Sequence, residues 1–232
     1  MDKALMKLMA KAIKVPQGDY VVFEADEIHQ DMPAVLTKVG RKLGYPAFVK
    51  PAIGGSSIGI TKVESRKELS DAILHGLAYC HKIVIEKAIP GREIEVGILG
   101  AGIHTRASVV GEIRSAEASA FYDFDAKYNN PTSQTVVPAD ISPEIEKKIQ
   151  DYAIQIFRHL GGRGLSRVDF FVTDEGKIFF NEINTVPGFT SISMYAQMWE
   201  KSGVSRQELM DTLINIALDT TLDSTLETPH AR

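Results

Sequence analysis

The sequence predicts an α+β fold with mainly antiparallel sheets in two lobes. Apolar stretches of strand character come in neighbouring pairs joined by short turns. Single amphipathic helical patterns separate those pairs, which argues against a parallel sheet built from βαβ units. A Pro90-Gly91 break after an apolar strand divides the chain into a first lobe over 1–91 and a second over 92–220, with a polar tail at 221–232.

The elements follow in order. "MDKALMKLMAKAIKV" reads as a short amphipathic helix ended by Pro16, because its lysines interrupt every apolar run. "DYVVFE" (19–24) reads as a strand, residues 30–43 as a helix closed by Gly44, and "PAFVKP" (46–51) and "IGITKV" (58–63) as two further strands. Ser65 caps a helix reaching about residue 78, with Glu68 as a capping-box partner. "KIVIEKAI" (82–89) is a strand, and "EIEVGILG" (93–100) pairs with "IHTRASVVGEI" (103–113). Residues 114–135 are polar and aromatic without regular period, a length and chemistry that suit a binding loop over a site. Ser142, Pro143 and Gly161 delimit a helix over 142–161. "LSRVDFFVTDEGKIFFNEIN" is a hairpin turning at 174–177, and 205–219 is a last helix.

Composition excludes several function classes. Among 232 residues, 44% are hydrophobic and 24% charged, as in ordinary globular domains. A net charge of −4 gives no electrostatic case for nucleic acid or an anionic membrane. No apolar run approaches the roughly 20 residues of a membrane span. The single cysteine, Cys80, excludes an internal disulfide and fits a reducing, cytoplasmic setting.

The loop in "VKPAIGGSSIGITKV" (49–63) looks like a phosphate cradle, because Gly and Ser let backbone N–H groups turn toward an anion. Neither familiar phosphate loop fits. Gly59 is followed by Ile60 where a P-loop needs Lys, and Ser56 stands where the dinucleotide fingerprint needs its second Gly. Strands on both sides make residues 52–57 a hairpin tip. Lys50 ends an apolar strand directly before that tip, so its ammonium needs a partner, and a phosphate held by the loop is one candidate. Alternation in "VIEKAIPGRE" points Glu86 inward, where a structural salt bridge is the competing reading.

If "DEGK" forms the 174–177 turn, residue 173 faces 178 and 169 faces 182. Asp169 and Glu182 then share a face with Asn184 and Arg167. Two carboxylates and an amide oxygen suit Mg²⁺, whose remaining positions go to water and phosphate oxygens. A slip of one residue would separate the two acids. Apolar neighbours in "RVDFFV" and "IFFNEI" argue that these charges are buried rather than scattered on a surface.

Taken in order, "MDK", "VKP…GGSSIGI", "VIEKAIPGREIEVGILG", "FYDFDAKY", "GLSRVDFF" and "NEINTVPGFTSISMY" resemble the ATP-grasp superfamily and, within it, the D-alanine–D-alanine ligase family, to about residue 217. The resemblance implies two lobes with nucleotide between them, the Gly-Ser hairpin closing over the phosphates. It implies ATP with Mg²⁺ or Mn²⁺, two ions in all, and D-alanine as substrate. By the same resemblance Lys3 and Lys50 contact phosphates, Glu86, Lys87 and Ile89 line the adenine pocket, and Glu93 meets the ribose. Asp169, Glu182 and Asn184 match the metal ligands; Ser56, Tyr128 and Lys127 match substrate-positioning and mobile-loop residues. Arg167 and the Gly188 N–H match oxyanion stabilisers, and Ser193 and Met194 the acceptor carboxylate site.

The activity so implied is ATP-dependent ligation of two D-alanines through an acyl phosphate, for peptidoglycan and hence cell-wall and cell-shape maintenance. The alternatives are a nucleotide-binding remnant without ligase activity and a D-alanine–D-serine ligase. Family members carry a preceding α/β domain of roughly 100 residues that supplies a glutamate and a histidine for the first D-alanine. The resemblance here starts at residue 1, so the expectation is a chain lacking that domain, impaired in dipeptide synthesis alone, with a homodimer partner or a separate N-terminal domain as the assemblies to test.

Overall fold

The computed structural model describes residues 2–114, 134–190 and 193–218. Within them the fold is α+β with two antiparallel sheets. The elements are α1 (Lys3–Ala12), β1 (Tyr20–Glu24), α2 (Ala25–Gln30), α3 (Met32–Lys42), β2 (Ala47–Pro51), β3 (Thr61–Val63), α4 (Arg66–Leu77) and β4 (Lys82–Lys87). There follow β5 (Arg92–Ala101), β6 (Arg106–Arg114), β7 (Gln134–Val136), α5 (Pro143–His159), β8 (Arg163–Val172), β9 (Ile178–Asn184), α6 (Met194–Lys201) and α7 (Arg206–Leu218). The described residues fall into two compact units, one within Met1–Glu93, Ile113–Thr135 and Phe170–Glu182, the other within Ile94–Glu112, Val136–Asp169 and Ile183–Arg232.

In the first unit a four-stranded sheet runs in the order β1-β4-β2-β3, every pair antiparallel. Register assigns its two faces. Val21, Phe23, Ala47, Val49, Val63, Ile83 and Ile85 point one way, into a core closed by Ile28, Val35, Val39, Leu69 and Ile73 from α2, α3 and α4. Tyr20, Val22, Phe48, Lys50, Val84 and Glu86 point the other way. α1 packs on that second face through Ala4 against Ala52, Cys80 and Val84. Its N-terminus is tied down because Asp2 accepts from the Ala4 and Leu5 N–H groups at 2.8 and 3.2 Å, an N-cap.

The second sheet has the order β7-β6-β5-β8-β9. In the second unit Leu99, Tyr195, Trp199 and Leu209 form a core, and the Tyr195 hydroxyl donates to the Ile98 carbonyl at 2.9 Å. Among the described residues no helix is long and apolar enough to cross a membrane.

Several expectations need correction. The helix expected over 30–43 is α3, which Asp31 starts by accepting from the Ala34 N–H at 2.9 Å, but the short α2 before it was not expected. The strand expected at 58–63 forms only at Thr61–Val63. Ser65 does begin α4, but its hydroxyl donates to Glu68 Oε1 at 2.7 Å and Glu68 Oε2 accepts from the Glu64 N–H, so neither backbone bond of the expected capping box is made. The 174–177 turn closes one residue early: the Thr173 N–H donates to the Lys177 carbonyl and the Gly176 N–H to the Thr173 carbonyl. Gly176, at φ +75°, supplies the left-handed residue of a three-residue loop with a bulge.

That early closure carries a consequence for register. Counted back from Thr173 and Lys177, a regular hairpin would put Asn184 on the face opposite Asp169. Yet Asn184 Nδ2 donates to Asp169 Oδ2 at 3.0 Å. The alternation of burial along β9 breaks at Asn181–Glu182, two successive half-buried residues.

Candidate functional site

The first unit holds a cluster of buried charge. Lys3 and Lys7 are one helical turn apart on α1, so both descend onto the sheet face that carries Lys50 and Glu86. All four are buried, Lys7 at 1% exposure the most deeply. Glu86 Oε2 takes two cations at once, Lys7 Nζ at 3.1 Å and Lys50 Nζ at 3.3 Å. Lys50 also donates to Asn181 Oδ1 at 3.4 Å. Lys7 Nζ lies 5.5 Å from the Tyr20 ring centroid and Lys50 Nζ 5.8 Å from that of Phe48.

Lys3 is held differently. Its ammonium donates to the carbonyls of Pro51 at 3.2 Å and Gly54 at 3.0 Å, tying α1 to the base of the glycine loop. Burial pushes Lys3 below its ordinary value, and Glu182 opposes that most strongly among its neighbours. Burial likewise lowers Lys7 against the pull of Glu86. Burial alone would raise the Glu86 carboxyl, but Lys50 and Lys7 outweigh it and hold Glu86 below the ordinary carboxylate value. Three ammonium groups thus face two carboxylates, Glu86 and Glu182. The cluster has cationic charge in hand for an anion, and its donors are lysines, which suit phosphate.

The loop beside it is shaped for close approach. Ser56 and Ser57 both have positive φ, 53° and 58°, and the Ile58 N–H donates to the Gly55 carbonyl at 3.1 Å. This is a type I′ turn built from two serines instead of Asn-Gly. Ser56 is exposed at its tip. Lys87 is exposed at the end of β4, and Ile89 packs on Gly18, where an added Cβ would stand 2.8 Å from Ile89 Cδ1. Glu93 is half-buried.

In the second unit Arg167 grips Asp169 with two parallel bonds of 2.8 Å, Nε to Oδ1 and Nη2 to Oδ2. The same Nε lies 3.1 Å from Glu95 Oε2. Asp169 and Glu95 are each 1% exposed. Glu95 and Asp169 share the Arg167 guanidinium, and carboxylate oxygens of this kind suit a hard cation. Asp169 and Asn184 share a face, as the sequence reading required of two metal ligands; Glu182 belongs to the first unit, with Lys3. Among the described residues no group of three or more His, Cys, Asp or Glu side chains could hold a metal.

Gly188 is exposed, and an added Cβ would stand 3.1 Å from Ser193 Oγ. Ser193 precedes α6, and its hydroxyl accepts from the Thr190 N–H at 2.9 Å. The Met194 side chain is buried, so only its backbone could meet a ligand. Lys127 and Tyr128 lie outside the described residues.

Sequence reasoning missed Lys7, Asn181 and Glu95. Lys7 was findable by helical period from Lys3. Glu95, two residues from Glu93 on a strand, was findable by alternation. Asn181 was not, because its contact to Lys50 joins strands 131 positions apart in sequence.

Comparison with known proteins adds the family. Residues 9–215 match the model described as D-ala D-ala ligase C-terminus. A D-alanine–D-alanine ligase from Acetivibrio thermocellus is 45% identical over 219 residues, covering 94% of this chain and 57% of the relative. One from Natranaerobius thermophilus is 44% identical over 219 residues, covering 94% and 59%. Among solved structures, the VanG D-Ala:D-Ser ligase from Enterococcus faecalis superposes with a TM-score of 0.83 at 36% identity, covering 94% of this chain and 62% of that one. The D-alanine-D-alanine ligase from Coxiella burnetii gives 0.78 at 34%, covering 97% and 58%. The chain therefore spans about three fifths of the length of these relatives. With an acid-gripping arginine on one sheet and a buried lysine cluster on the other, it belongs to the D-alanine–D-alanine ligase family and corresponds to the C-terminal part of those enzymes.

Proposed function

We propose that the chain is the nucleotide-binding and ligating part of a cytoplasmic ATP-dependent D-alanine–D-alanine ligase serving peptidoglycan precursor synthesis. The observation that carries the reading is the buried excess of lysine charge, Lys3, Lys7 and Lys50 against Glu86 and Glu182, beside the Gly54–Ser57 loop. Lys3 and Lys50 bind the phosphates of ATP, and the Gly-Ser turn closes over them. Glu86, Lys87, Ile89 and Glu93 form the nucleoside side of the site. The carboxylate of one D-alanine attacks the γ-phosphorus, giving an acyl phosphate and ADP. The amine of a second D-alanine then attacks the acyl carbon, loses a proton, and phosphate leaves. Arg167 and the Gly188 N–H stabilise the tetrahedral oxyanion, and Lys127 the transferring phosphoryl group. Ser56 and Tyr128 position substrate; Ser193 and the Met194 backbone bind the acceptor carboxylate.

Asp169, Glu182 and Asn184 would hold Mg²⁺ or Mn²⁺, which when bound offsets phosphate charge. The hard-oxygen donor set and the buried Asp169 carboxylate beside Asn184 fit such an ion. The likeness to VanG favours D-serine as the alternative acceptor.

Calorimetric titration with ATP, with and without Mg²⁺, tests the reading, followed by assays for dipeptide and phosphate with D-alanine or D-serine. We expect metal-dependent ATP binding, weakened at least about tenfold in Asp169→Asn and Glu182→Gln. ATP binding without dipeptide would leave the nucleotide-binding alternative. Absence of ATP binding would overturn the proposal.

A further inference from the structure

We infer that Lys7, which no ligand could touch directly, is a positioning residue that keeps Lys50 available to phosphate. The inference rests on the proposed nucleotide site. Lys7 is 1% exposed and enclosed between α1 and the sheet, so it acts only through what it contacts. Its partner is Glu86 Oε2, at 3.1 Å, the same oxygen that Lys50 Nζ approaches at 3.3 Å.

One carboxylate oxygen shared by two ammonium groups satisfies neither fully. Lys7 has no hydrogen bond of good geometry and no exit to solvent, so its charge is committed to Glu86. Lys50 retains the larger exposure of the two and a second, long contact to Asn181 at 3.4 Å. By drawing on Glu86, Lys7 prevents Glu86 and Lys50 from closing into a neutral pair. Lys50 therefore keeps charge and donors for an incoming anion. Glu86 in turn keeps Lys50 aimed along the sheet face, since Lys50 and Glu86 are both directed there by register.

The experiment measures binding of inorganic tripolyphosphate and of ATP, each with Mg²⁺, to the whole 232-residue chain and its Lys7→Met, Glu86→Gln and double variants. Circular dichroism and thermal melts confirm that each is folded at the assay temperature. Lys7→Met is expected to bind tripolyphosphate about tenfold more weakly, the loss of one charge-assisted hydrogen bond. Adding Glu86→Gln to Lys7→Met is expected to restore tripolyphosphate affinity, because the carboxylate that would sequester Lys50 is gone. A merely structural lysine would show no such rescue. Unchanged binding by folded Lys7→Met, or a double variant no tighter than Lys7→Met, overturns the inference while wild-type ATP binding leaves the proposed function standing. Should Lys7→Met not fold, Glu86→Gln alone decides: tighter tripolyphosphate binding supports the inference, and unchanged or weaker binding overturns it. A wild-type chain that binds neither probe removes both readings.

Discussion

At the scale of the residue, Glu86 is the point on which the charge cluster balances. Its carboxyl is held below the ordinary value of 4.5 because Lys50 and Lys7 outweigh the cost of its burial. A carboxylate depressed on folding contributes stability that is complete above the ordinary value and is lost as pH falls below it, through the folded value. Glu86→Gln leaves Lys7 as an uncompensated buried charge, so it is expected to cost about 3–5 kcal/mol near pH 7. The gap between wild type and variant should narrow as pH drops below 4.5, where the wild-type carboxylate takes up its proton. Chemical denaturation at pH 7 and below 4 checks this; a gap that stays constant would show that the pair carries no linked proton. Lys7 shifts stability in the same direction with pH, but in the alkaline range. Its ammonium is lowered by burial, so by itself it favours the folded state more as pH rises toward its ordinary value of 10.5.

At the scale of the element, two hairpins carry the site, and each departs from regular geometry where the site needs it. In the glycine loop, Ser56 and Ser57 occupy left-handed backbone, which costs a residue with a Cβ roughly 1–2 kcal/mol. Ser57→Gly should therefore stabilise the chain by about 1 kcal/mol, read as a rise in the denaturation midpoint. Gly59→Ala should do the reverse, by more than about 2 kcal/mol. There φ is +74°, and an added Cβ would stand 2.6 Å from the Tyr79 ring and 2.8 Å from Pro51. A neutral outcome at Gly59 would mean that the loop base can open without cost. The β8–β9 hairpin shows what periodicity can and cannot read. "DEGK" announces a turn, and alternation announces that Asp169 and Asn184 share a face, which their 3.0 Å bond bears out. But the Gly176 bulge shifts the tip by one residue, and such a shift leaves no trace in the hydrophobic pattern, so the shared face of Asp169 and Asn184 is legible while the register at the tip is not. α2 was missed for a related reason: "ADEIHQ" is too short to show a period, and only the Asp31 cap separates it from α3.

At the scale of the molecule, the unlegible part is long-range. The sequence displays the strands of each sheet, but not that the Phe180 N–H donates to the Pro16 carbonyl at 2.8 Å, or that Phe180 meets Phe170 at 6.0 Å within the first unit. These contacts bring Asn181 to Lys50 and Glu182 toward Lys3. The site is thus assembled from α1, β2, β4 and β9, with Lys50 and Asn181 131 positions apart and Lys3 further still from β9, and it exists only in the folded chain. A ligand that binds it binds the native state alone, and stability must then rise by mass action. Mg·ATP at a hundred times its dissociation constant should stabilise the chain by about 2.7 kcal/mol. For a chain of this size that is a rise in melting temperature of roughly 5–10 °C. Because like charges among Lys3, Lys7 and Lys50 are relieved by an anion, tripolyphosphate alone should give part of the same rise, and it should shrink in high salt. A scanning melt with each ligand measures it. No shift with either would mean that the buried cationic charge is satisfied within the chain, and that the cluster is packing rather than a phosphate site.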